Sequence, residues 1–64
     1  MDIIQKIIEE RKKQKLSQDE LSKMTDIARS YISRIEAGVV DVSMSRVERL
    51  LDALGFELTI RKKR

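Results

Sequence analysis

Arg29, Ser30, Ser33 and Arg34 are the residues of this 64-residue chain best suited to act on another molecule. On a helix with Ala28 set at 0° and each residue advancing 100°, they share an arc between about 100° and 240°. Ala28, Tyr31, Ile32 and Ile35 fall within about 50° either side of the opposite direction, and this is the face to bury. Two guanidinium forks and two short hydroxyls suit the major groove of duplex DNA. Arginine donates two bonds to guanine N7 and O6, and serine is short enough to let the backbone approach. A merely solvated helix face has the same composition, so this arc alone leaves both readings open. Other chemistry is poorly supplied. The chain has no histidine and no cysteine, which removes the commonest general base, the commonest metal ligand and any thiolate. Its carboxylates form no pocket-like constellation at this size. An enzyme, a metal site and a cofactor are therefore not expected.

The elements that must position these residues are mostly helical. Ile3, Ile4, Ile7 and Ile8 share one arc of a first helix from Asp2 to about Gln14, with Asp2 as N-cap. Ser17-Gln18-Asp19-Glu20 has the Ser-x-x-Glu pattern of a capping box and opens a second helix through about Met24. Thr25-Asp26 reads as a tight turn. A third helix runs from Ala28 to about Ala37 and stops at Gly38. Ser43 or Ser45 caps a fourth, which holds Met44, Val47, Leu50, Leu51 and Leu54 and closes at Gly55. The period then drops to two, with Phe56, Leu58 and Ile60 alternating with polar residues as in a half-buried strand. One strand cannot pair with itself, so a second copy of the chain is its simplest partner; a loosely docked tail is the alternative. The predicted architecture is mainly α: four helices over 1–55, a dimerisation strand over 56–61 and a basic tail over 62–64.

Composition narrows the class further. A chain of this length makes one small domain, and without cysteine no disulfide supports its core. The net charge of +3 comes from 14 basic and 11 acidic residues. Four of the basic ones are Arg61-Lys62-Lys63-Arg64, so residues 1–60 carry ten against eleven. Overall basicity therefore argues nothing about nucleic acid; the placement of individual arginines does. Tyr31 and Phe56 are the only aromatics, too few for a platform that stacks single-stranded bases. No apolar run reaches the roughly 18 residues of a membrane span and no secretory leader is visible. A cytoplasmic binding domain, with no membrane and no small-molecule substrate, is the expectation.

Two short helices joined by a tight turn, the second exposing a polar face, form a helix-turn-helix. That context favours the DNA reading of the arginine arc. Gln18, at the start of the second helix, can clamp a phosphate together with free backbone N–H groups. Lys12, Lys13 and Lys15 precede it and are candidate phosphate contacts, or ordinary surface charge. Arg11 falls at about 80° inside the isoleucine arc of the first helix. A cation there needs a partner, and Glu36, at the edge of the core face of the third helix, is the best placed. Arg11 could instead extend its long stem outward.

Leu16-Ser17-Gln18-Asp19-Glu20-Leu21 followed by Ile27-Ala28-Arg29-Ser30-Tyr31-Ile32-Ser33-Arg34-Ile35-Glu36-Ala37-Gly38 resembles the lambda-repressor-like helix-turn-helix of the Cro/C1/XRE family. Residues 43–55 are similar to that family's fourth helix, so the resemblance spans roughly residues 4–55. It implies a dimer on a palindromic operator, with Gln18 on phosphate and Arg29, Ser30, Ser33 and Arg34 at base-reading positions. The positions of Arg11 and Glu36 also match a salt bridge of lambdoid phage repressors. Asp26 stands where the family usually has glycine, and Ala28 where it usually has Ser or Thr. A fourth helix ending in Leu-Gly and followed by Phe56-Glu57-Leu58-Thr59-Ile60 is similar to the HipB-like antitoxins, whose strand pairs across the dimer.

The leading expectation is thus a homodimeric, sequence-specific repressor, the antitoxin of a HipBA-like module that represses its own operon and binds a HipA-like kinase toxin. A stand-alone phage-type or restriction-modification regulator without a toxin is the first alternative. A protein-interaction module that does not read DNA is the second.

Overall fold

The computed structural model describes residues 2–57. Four helices follow in order: α1 (Ile3–Lys13), α2 (Gln18–Thr25), α3 (Arg29–Ala37) and α4 (Met44–Ala53). Polar side chains at the termini set most of these boundaries. The Asp2 carboxylate accepts from the Ile4 amide at 3.0 Å and starts α1. Ser17 and Glu20 form a reciprocal capping box: the Ser17 amide donates to Glu20 Oε1 at 2.9 Å, and the Glu20 amide donates to Ser17 Oγ at 3.0 Å. Ser43 caps α4 through the Arg46 amide. Ala28, at the head of α3, offers no side-chain acceptor.

The capping box has a consequence for acid stability. The Ser17 backbone N–H, helped by its hydroxyl and by Lys23, holds the exposed Glu20 carboxyl below its ordinary value. A carboxyl lowered on folding contributes stability above its unfolded value and loses it as pH falls through its folded value. Glu20→Gln is therefore expected to flatten the acid limb of a stability-versus-pH series measured by urea unfolding. Ala28→Ser restores the missing α3 cap and is expected to stabilise the fold by about 1 kcal/mol, read from the urea midpoint.

Each helix ends by turning into the left-handed region. Gly38 (φ 74°) and Gly55 (φ 90°) do so at no steric cost after α3 and α4, whereas Lys15 (φ 58°) and Asp26 (φ 60°) do so as L-residues. At Gly55 the chain reverses so that the Phe56 amide donates to Leu51 O at 2.8 Å. That bond leaves Phe56 at the close of α4, not in a ladder.

The core is Ile7, Leu21, Ile27, Ile32, Ile35, Val47, Leu50, Leu51 and Leu54, with at least one residue from every helix. Burying a side chain of this size stabilises by roughly 1.5–3 kcal/mol, and these residues pack α2 on α3 and α4, and α1 on α3. Three residues assigned to buried faces by periodicity are exposed: Ile3, Ala28 and Met44. All three lie at helix starts: Ile3 and Met44 are the first residues of α1 and α4, and Ala28 is the N-cap of α3. Of the strand expected over 56–61, only Phe56 and Glu57 are described. The described residues contain no strand, and Phe56 and Glu57 are exposed coil after α4. Leu58, Ile60 and the basic tail lie outside the described residues. No helix among the described residues is long and apolar enough to cross a membrane.

Candidate nucleic-acid interface

The turn between α2 and α3 is held from within. Thr25, buried, donates its hydroxyl to Leu21 O at 2.7 Å and accepts from the Ile27 amide at 3.3 Å. The Ser22 hydroxyl bonds Ile27 O. Asp26 supplies the left-handed residue, and its amide donates back to Ser22 O at 2.9 Å. These bonds fix the direction in which α3 leaves the turn, while Ile32 and Ile35 seat it on the core.

Seated this way, α3 turns Arg29, Ser30, Ser33 and Arg34 to solvent; all four are exposed. Among the described residues neither arginine has an ion-pair partner within 4.0 Å. Among the described residues neither guanidinium donates a side-chain hydrogen bond either.

Behind this face lies a buried polar junction. Arg11 grips Glu36 with two bonds, Nε to Oε2 at 2.7 Å and Nη2 to Oε1 at 2.9 Å. Its Nη1 donates to Leu16 O at 2.9 Å, which fixes the loop between α1 and α2. The side chains are only 11% and 10% exposed, so Arg11 turns inward and does not extend to solvent. Parallel N–H bonds from a guanidinium fork set both distance and angle. Glu36 also accepts from Gln18 Nε2 at 3.0 Å, so one carboxylate joins α1, α2 and α3.

Gln18 opens α2 and Arg29 opens α3, and both line a single open cleft with Arg11, Ser17 and Asp19. Helix N-termini carry unsatisfied N–H groups and a partial positive charge. Lys12 and Lys13 are exposed in the last turn of α1, one helix earlier. The structure thus gathers Gln18, Arg11 and Arg29 at one site. It places Ser30, Ser33 and Arg34 along the adjoining face.

Sequence reasoning passed over Arg46. Its guanidinium lies 4.7 Å from the centre of the Tyr31 ring. Together with Arg49 it borders a shallow depression that reaches Ala28 at the head of α3. The Tyr31 hydroxyl donates to Asp41 O at 3.1 Å, so the same ring holds the loop after α3. The only available signal was an arginine three residues after the Ser43 cap. Phe56, assigned to a dimer interface, is 39% exposed, with Lys6 Nζ 5.7 Å from its ring centre.

Residues 7–60 match the helix-turn-helix family. Among curated proteins, the chain is similar to Control protein C.BamHI of Bacillus amyloliquefaciens, 40% identical over 45 residues. That alignment covers 70% of this chain and 56% of the relative, so the chain spans little more than half of the relative's length. No solved structure gives a significant match.

Proposed function

The chain belongs to the helix-turn-helix family of Cro/C1-type DNA-binding regulators, and we propose that it is a stand-alone transcriptional regulator of the restriction-modification control type. It acts as a homodimer on an inverted repeat and works by binding, not catalysis. The observation that carries the DNA-reading part is the exposed Arg29, Ser30, Ser33 and Arg34 face on a helix fixed by the Arg11–Glu36 junction. In this reading α3 enters the major groove and those four residues meet base edges. Gln18, Lys12 and Lys13 meet phosphate and set the register, and Arg46 adds a further backbone contact. The similarity to a control protein favours this biological role over the HipB-like antitoxin. The antitoxin reading rested on the tail after Gly55, and a HipA-like toxin partner has no support from the relative.

A reporter fused to the DNA upstream of the protein's own reading frame tests the role. Expression that responds to the protein in cells lacking any toxin-like partner supports a stand-alone regulator; a response only when a neighbouring kinase-like frame is present would return the weight to the antitoxin. Dimerisation has its own signature. If assembly supplies much of the stability, the melting temperature rises with protein concentration. A melt that stays constant across a hundredfold range contradicts an obligate dimer.

A further inference from the structure

Glu36 lies on α3, yet all three of its side-chain bonds go to other helices. Two of them satisfy Arg11 and account for burying the pair. The third, from Gln18 Nε2 at 3.0 Å, is not required for that purpose. Gln18 is half-buried and borders the open cleft, where water can serve its amide equally well. An ionised carboxylate only accepts, so the amide must present its nitrogen to Glu36. This settles which way the amide faces and leaves one Nε2–H to donate elsewhere. A bare carboxylate so near a phosphate donor would repel the phosphate. The Arg11 guanidinium, bonded to both Glu36 oxygens and lining the same cleft, cancels that charge.

We propose that Glu36 is a positioning residue for DNA-backbone binding: it holds the Gln18 amide with one N–H free for a phosphate oxygen, and Arg11 neutralises it so that the anion can approach. The inference rests on the reading of this face as a DNA interface. Its energetic basis is pre-organisation. A glutamine side chain already held in place loses less rotamer freedom on binding, which is worth roughly twofold to tenfold in affinity.

The test is a cycle of four proteins, each measured for affinity to a duplex carrying the selected operator and for melting temperature: wild type, Gln18→Ala, Arg11→Met with Glu36→Met, and the triple variant. Replacing a buried ion pair by apolar side chains of similar length is a change that folds often tolerate. In the wild-type background Gln18→Ala is expected to weaken binding about fivefold; in the Met–Met background it is expected to cost less than twofold, because Gln18 is no longer held. The same factor in both backgrounds, with wild type binding the duplex, overturns the positioning role and leaves the DNA reading intact. Failure of the wild type to bind any duplex at low salt overturns the DNA reading and this inference with it. If the Met–Met protein does not fold, the side-chain amide protons of Gln18 in the wild-type NMR spectrum decide. A proton bonded to Glu36 keeps its shift when duplex is added; collapse of both protons to the free-glutamine position overturns the proposal.

Discussion

Arg11→Ala is expected to unfold most of the protein at room temperature. The substitution removes both bonds to Glu36 and the bond to Leu16 O. It leaves a carboxylate whose side chain is 10% exposed with Gln18 as its remaining partner. Removing one member of a buried ion pair costs about 3–5 kcal/mol, because the other charge stays buried without compensation. A core of this size without a disulfide or metal supplies about that much in total. Circular dichroism with urea titration reads the result directly. A loss below about 1 kcal/mol would place the pair among solvent-screened surface interactions and would contradict its role as the junction of α1, α2 and α3.

The second large effect falls on binding, with the fold untouched. Arg29→Ala and Arg34→Ala alter exposed side chains without an ion pair among the described residues, so melting temperatures should hold. Each is expected to cost about 1–3 kcal/mol on the cognate sequence, a loss of roughly 5- to 150-fold, with relaxed base preference at the contacted position. Lys12→Ala and Lys13→Ala should behave differently, weakening cognate and random duplex alike and flattening the salt dependence by about one counterion each. Titrations of operator and scrambled duplex at several salt concentrations separate the two patterns. Equal losses on both duplexes for the arginine variants would remove α3 as the base-reading element.

The parts of this fold that could be read in the sequence are those fixed by local chemistry. Asp2, Ser17 with Glu20, and Ser43 each start a helix because their side-chain oxygens reach amides two or three residues ahead. Gly38 and Gly55 close helices because the left-handed conformation costs them nothing. Asp26 takes the same conformation in the turn before α3, at a position where glycine is the usual choice. Periodicity placed Ile7, Ile32, Ile35, Val47, Leu50 and Leu51 inside, and it put Arg11 among the apolar positions of α1. It failed at Ile3, Ala28 and Met44, since an angle around a helix axis carries no information about whether a neighbour covers that end. The bond from Gln18 to Glu36 and the stacking of Arg46 on Tyr31 were not legible. Both depend on how α2, α3 and α4 approach one another, which no spacing within a single helix encodes. The alternation after Gly55 falls mostly on residues outside those described, and pairing it calls for a second copy of the chain.

On the proposed function, α3 reads base edges in a two-fold arrangement. The most direct test is selection of a random duplex pool by the purified protein, followed by sequencing. The expected result is enrichment of an inverted repeat whose half-sites lie about one helical turn, about 34 Å, apart, and loss of that enrichment with Arg29→Ala combined with Arg34→Ala. A pool that emerges without an enriched sequence, with duplex binding absent even at low salt, would contradict it.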